Sequence, residues 1–205
     1  MISFPDIDEP FGLEDFASHA SLAAAVQKLR DEAEQLVPAI EDKHVWITNS
    51  TAKGGGVAEM LPKFCTVLTE LGVDNTWFVI GADRPEFFDL TKHLHNLIHG
   101  AGTPQLGEAE RELFEDINRR NADVLGDRVK ADDILVVHDP QPAPLGAMVK
   151  ERTGVPTVWR CHIGTEEHVD ATRGAWNFLR PYVDTYDATI FTAPEYVPSY
   201  LKHTS

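Results

Sequence analysis

The sequence predicts an α/β fold, a doubly wound and mostly parallel sheet of the Rossmann-like kind. Three observations lead there. Short runs of strand-forming residues alternate with stretches of helical periodicity along most of the 205 residues. The strand runs, such as Ile134-Leu135-Val136-Val137, are continuously apolar, as in a parallel sheet covered on both faces. A loop with three consecutive glycines, Gly54-Gly55-Gly56, falls where the first such strand gives way to a helix.

Taken in order, residues 1–14 are acidic and carry Pro5, Pro10 and Gly12, and they read as an extended arm. From 15 to 40 the apolar residues Phe16, Leu22, Val26, Leu29, Ala33 and Val37 follow a helical rhythm that ends near Pro38. This predicts one helix, and residues 1–43 are set apart as an N-terminal extension. The Rossmann-like domain is placed at 44–205. It opens with a strand at 44–49, the glycine loop, and a helix at 57–68 that closes at Leu71-Gly72. Pro62 lies near the first turn of that helix, where proline is tolerated. A second strand at 77–81 completes a βαβ unit. Helices are predicted at 85–99 and 107–125, a strand at 134–137 and a helix at 145–152. A strand at 157–161, a helix at 173–186 and a strand at 188–192 follow.

Composition excludes several classes of function. Hydrophobic residues make up 42% and charged residues 25%, near the averages of globular proteins. A formal net charge of −15 repels nucleic acid and anionic lipid, so neither is expected as a partner. No apolar run approaches the roughly 20 residues of a membrane-spanning helix. The acidic N-terminus does not resemble a signal peptide, and Cys65 and Cys161 share no metal-ligand spacing. These features point to a cytoplasmic protein with reduced thiols.

Ligands of doubly wound sheets bind at the C-terminal ends of the strands, so the loops there hold the candidate residues. After the first strand, Gly54, Gly55 and Gly56 let a ligand approach the backbone, and the helix that follows offers N–H groups to a phosphate or hydroxyl. The loop is neither a Walker A motif nor G-x-G-x-x-G. After the third strand comes His138-Asp139-Pro140-Gln141-Pro142. Asp139 there suits either a sugar hydroxyl or the start of the next helix, which it could cap. Arg160 and His162 end the fourth strand, either as ligand contacts or as surface and loop residues. His95 and His99 lie one turn apart on a helix, but no H-E-x-x-H completes a metal site. No metal and no cofactor are expected.

A resemblance adds to this reading. The motifs Asn49-Ser50-Thr51, Gly54-Gly55-Gly56-Val57-Ala58-Glu59-Met60, Phe87-Phe88 with Thr91-Lys92 and His95-Asn96, His138-Asp139-Pro140-Gln141-Pro142, Arg160-Cys161-His162-Ile163 and Pro194-Glu195-Tyr196-Val197 occur in this order. Together they resemble the N-terminal half of trehalose synthases of the glycosyltransferring type, which are retaining, family 4-like enzymes of the two-Rossmann-domain (GT-B) architecture. The resemblance implies transfer of glucose from a nucleotide-glucose donor to glucose, forming trehalose.

It also implies catalytic roles for His162 and Asp139, the first near the donor sugar and the second on acceptor hydroxyls. Gly54, Gly55, Gly56, His95, His138 and Arg160 would contact substrate. The nucleotide pocket would belong to a C-terminal domain outside this chain. On that expectation the 205 residues alone are inactive or nearly so, and an uncovered apolar face could drive homo-oligomerisation. The alternative is a stand-alone sugar-binding or regulatory module without catalysis. The chain departs from the family at Gly164, where an acid usually follows Arg-Cys-His-Ile.

Overall fold

A computed structural model describes residues 2–7, 11–167, 169–198 and 201. Among these, five strands form one sheet: β1 (Val45–Asn49), β2 (Asn75–Val79), β3 (Ile134–His138), β4 (Thr157–Cys161) and β5 (Ala188–Phe191). Their spatial order is β2-β1-β3-β4-β5, and every neighbouring pair is parallel. The helices are α1 (Leu13–Ser18), α2 (Ala23–Leu36), α3 (Gly56–Glu70), α4 (Pro85–Ile98), α5 (Glu108–Gly126), α6 (Ala143–Thr153) and α7 (Asp170–Val183). The α/β class and the run of elements from the first strand onward agree with the sequence reading.

The period of two along a strand explains why the runs are apolar throughout. In register, Ile47 lies beside Trp77 on one side and Val136 on the other. With Val45, Val79 and the α3 residues Leu61 and Cys65 they fill the core on one face. The alternate positions Phe78, Leu135, Val137 and Trp159 fill the opposite face with Leu94, Phe114, Val149 and Leu179 from α4, α5, α6 and α7. Each face is thus sealed by helices, and the strand ends are left for function.

The N-terminal extension differs from its expectation. The single predicted helix is two, α1 and α2, separated by a turn at 19–22. Ser18 Oγ donates to the Asp15 carbonyl at 2.7 Å, and His19 then turns extended (φ −83°, ψ 115°). Serine competes in this way with the helical ladder, so Phe16 and Leu22 belong to different helices despite their shared rhythm. The arm is not a free tail at its start. Ser3 bridges the edge strand at Val79, antiparallel, and Phe4 lies 6.2 Å from the Phe78 ring. Pro10 lies outside the described residues.

Candidate functional site

The strand order reverses direction between β1 and β3: β2 lies on one side of β1, and the later strands on the other. A crevice at the C-terminal ends of such a pair is where this fold class binds ligands. A cleft of about 460 Å³ opens there. Its walls include the glycine loop after β1, His95 of α4, Asp139 after β3, His162 after β4 and Thr192 after β5.

The glycine loop is shaped by its own side chains. Asn49 donates through Nδ2 to the Thr51 carbonyl at 2.7 Å and accepts the Trp77 indole N–H at 2.9 Å. Thr51 Oγ1 donates to the Lys53 carbonyl and accepts the Lys53 N–H. Gly54 and Gly55 then take φ values of 77° and 93°. No atom lies within 4 Å of a Cβ built on either one. Their need for glycine is therefore conformational, and the space above them is open. Gly55 caps α3 without a side-chain bond, so the first N–H groups of a 15-residue helix face the cleft side of the loop.

Asp139 is held from three sides. Its N–H donates to the Arg160 carbonyl at 2.9 Å, its carbonyl accepts the Trp159 indole N–H at 2.8 Å, and its Oδ1 accepts the His162 N–H at 2.8 Å. These bonds hold it at φ 64°, the one positive φ outside glycine among the described residues. A non-glycine residue in this region costs about 1–3 kcal/mol and persists where the surroundings determine it. The carboxylate does not cap α6, whose N-cap is Pro142 with no side-chain bond. It lines the cleft instead. Burial raises the Asp139 carboxyl to about 6, against the lowering effects of the His162 N–H and the Arg160 charge.

Two imidazoles lie behind and beside it. His138 Nδ1 and His162 Nε2 are 2.9 Å apart, with their rings nearly parallel at 10°. Burial first, then the His162 and Arg160 charges, lowers His138 to about 3. Burial and Arg160 lower His162 to about 4. Both rings are neutral at neutral pH. His162 forms cleft wall, whereas His138 is 0% exposed and forms none of it. His138 therefore does not reach a ligand as a substrate contact would. Arg160 also stands outside the wall, half-buried, and acts on Asp139 and both histidines through its charge. His95 does reach the cleft, 4.7 Å from the His99 ring, with its basicity lowered by burial and by His99.

Three features of the site escape sequence reasoning. The His138–His162 bond joins residues 24 apart and depends on the β3–β4 register. Thr192 follows the same strand-end rule as the other loops, which is the signal that could have found it. Gly164 is buried, and a Cβ there would fall 2.4 Å from Tyr196 Cβ. Tyr196 is thus packed where any side chain at 164 would start. Cys65 and Cys161 are buried free thiols, and burial pushes Cys65 up to about 12. Among the described residues no group of three or more His, Cys, Asp or Glu side chains is arranged to hold a metal. Among the described residues no helix is long and apolar enough to cross a membrane.

The model of one protein family, described as trehalose synthase, N-terminal domain, matches residues 47–198. The chain belongs to this family. A trehalose synthase of Thermococcus litoralis is 39% identical over 173 residues, covering 84% of this chain and 39% of the relative. One of Pyrococcus horikoshii is 37% identical over 185 residues, covering 90% of this chain and 41% of the relative. The chain thus spans about two fifths of the length of these curated trehalose synthases. Among solved structures, an α,α-trehalose 6-phosphate synthase of Burkholderia multivorans superposes with a TM-score of 0.56 at 18% identity, over 75% of this chain and 41% of that one. That likeness shows the fold, the Rossmann-like half of a GT-B architecture. The trehalose synthase match takes in all five strands except the first two residues of β1, and with them every strand end that forms the cleft.

Proposed function

We propose that this trehalose synthase N-terminal domain forms the acceptor-side wall of a retaining glycosyltransferase that joins glucose from a nucleotide-glucose donor to free glucose. The observation that carries the reading is Asp139. It places a carboxylate on the cleft wall with Oδ1 bonded to His162 N–H and Oδ2 without a partner among the described residues. Such an oxygen accepts a hydroxyl hydrogen bond of a bound sugar, and a charge-assisted bond of this kind contributes about 1.5–3 kcal/mol. His162 offers a neutral ring beside it, and the α3 N–H groups offer donors to hydroxyl or phosphate oxygens across the cleft.

Cleaving a glycosyl–phosphate bond builds negative charge on the departing diphosphate, and groups placed to stabilise that charge supply much of the rate. This domain offers backbone N–H groups for the task, and the proposal assigns the nucleotide and the main diphosphate contacts to residues beyond 1–205. On this reading the 205-residue chain binds acceptor sugar but turns over little. The reading also sets the protein in the cytoplasm, without a metal or cofactor.

The test is ligand-observed NMR of chain 1–205 with glucose, trehalose and UDP-glucose, for wild type and Asp139→Asn. Saturation transfer to glucose or trehalose that Asp139→Asn reduces tenfold or more supports the acceptor wall, as expected for loss of about 1.4 kcal/mol. Sugar binding that is indifferent to Asp139, or rapid disaccharide formation by this chain alone, contradicts it.

A further inference from the structure

We propose that His138 is a positioning residue: its Nδ1–H donates to His162 Nε2 and so holds His162 as the Nδ1–H tautomer, with a hydrogen-bond donor, not an acceptor, turned to the cleft. The inference starts from a distance and a burial. The two ring nitrogens are 2.9 Å apart, which requires one proton between them. Two arrangements satisfy it. If His162 Nε2 were the donor, His138 would carry its own proton on Nε2. That atom is fully buried and has no partner among the described residues. An orphaned buried N–H is rarer than an under-satisfied buried acceptor. The proton therefore sits on His138 Nδ1, leaving His138 Nε2 as a bare lone pair.

The consequence falls on His162. Its Nε2 accepts from His138, so its remaining proton is on Nδ1, the ring nitrogen without a partner among the described residues. His162 forms cleft wall, and its backbone N–H is tied to Asp139. The two neighbours then present opposite chemistry. Asp139 accepts from a hydroxyl, and His162 Nδ1–H donates to an oxygen lone pair, so one sugar hydroxyl or two adjacent ones can be read in both senses. A general-base role for His162 Nδ1 is excluded by the same tautomer. The burial of both rings, and after it the charge of Arg160, keeps the pair neutral, so the arrangement persists across neutral pH.

What His162 donates to rests on the sugar-site reading above, but the tautomer is a property of the free chain and is measured without ligand. The experiment is long-range 1H–15N correlation NMR of chain 1–205 labelled at histidine nitrogens, at pH 7. His162 Nδ1 is expected at a protonated, pyrrole-type shift and Nε2 at a bare, pyridine-type shift. In His138→Phe the buried ring remains but the donor is lost. His162 then moves to the Nε2–H form that a free side chain prefers in water, and the two shifts exchange. His138→Asn keeps an amide N–H near the position of Nδ1 and retains the wild-type tautomer. An Nε2–H form of His162 in wild type, or an unchanged tautomer in His138→Phe, overturns the inference. The wild-type spectrum decides it even if a variant does not fold. A glucose titration of the same sample reads the sugar site separately, so either result can fail without the other.

Discussion

Asp139 Oδ1 accepts the backbone N–H of His162 at 2.8 Å, and this single bond ties the loop after β3 to the loop after β4 across the mouth of the cleft. It fixes the carboxylate while leaving its second oxygen without a partner among the described residues. It also explains how an aspartate keeps a left-handed backbone, since its main chain is bonded to Arg160 and Trp159 at the same time.

Substitution at Asp139 separates charge from shape. Asn retains a carbonyl oxygen for the His162 N–H and tolerates positive φ. Asp139→Asn is expected to fold with nearly unchanged stability and to lose sugar affinity. Asp139→Ala loses the bond and keeps a Cβ in the strained region, and it is expected to unfold about 1–3 kcal/mol more easily. Urea denaturation of the two variants beside wild type checks this. Equal losses in both would show that the side-chain bond contributes nothing.

The imidazole pair makes the fold acid-sensitive. His138 and His162 titrate at about 3 and about 4 in the folded chain, against an ordinary 6.5. As pH falls below about 6.5 the unfolded chain takes up these protons and the folded chain does not, so stability falls. Asp139, raised to about 6 from 3.8, works in the opposite sense: its contribution is fully present below 3.8 and is lost as pH rises through about 6. Two histidines outweigh one carboxyl, and between pH 7 and pH 5 they contribute about equally, because both stay unprotonated in the folded chain. Denaturation free energies at pH 7 and pH 5 are expected to show a clear fall in wild type and a shallower one in His138→Phe. The same slope in both would contradict this account of the pair.

The glycine loop yields a contrast between neighbours. Gly55→Ala forces a Cβ on a backbone at φ 93°, ψ 151°, a region essentially kept for glycine, and is expected to destabilise by about 1–3 kcal/mol. Gly56 begins α3 with ordinary φ and open space around a Cβ, so Gly56→Ala is expected to leave thermal stability within about 0.5 kcal/mol of wild type. Gly56 nevertheless forms cleft wall. Weaker sugar binding by Gly56→Ala at unchanged melting temperature would mark the loop as ligand-facing, and unchanged binding would mark it as a plain turn.

Gly164 tests the close packing of the loop after β4 against Tyr196. Gly164→Asp would place its Cβ on Tyr196, 2.4 Å away, and is expected to destabilise by about 1–3 kcal/mol. Adding Tyr196→Ala opens that space, so the double variant is expected to recover part of the loss relative to the sum of the single changes. Additive effects in a double-mutant cycle would show that the two positions do not compete.

Most of the sheet was legible because its signals are local. The run at Ile134 is apolar over four residues, the run at Thr157 places the strand formers Thr157, Val158 and Trp159 together after Pro156, and α3 announces itself by the glycines before it. The break between α1 and α2 was not legible, because Ser18 and His19 leave the helical rhythm of the apolar residues intact while ending the helix through a side-chain bond. Strand-end position singled out Gly54, Asp139 and His162, which line one cleft. It could not tell His138 from its neighbours, because the last residue of β3 turns its ring inward while Asp139, one position on, forms the wall. Which side of a strand end faces ligand depends on register and loop backbone, and in this case on a left-handed aspartate.

The most direct test of the central claim is amide-resolved NMR of chain 1–205 titrated with glucose. The account predicts saturable shift changes that cluster at Gly54, Gly55, Gly56, Asp139 and His162 and that vanish in Asp139→Asn. Changes confined to another surface, or none at glucose concentrations where a sugar acceptor would bind, would contradict the assignment of this cleft to an acceptor sugar.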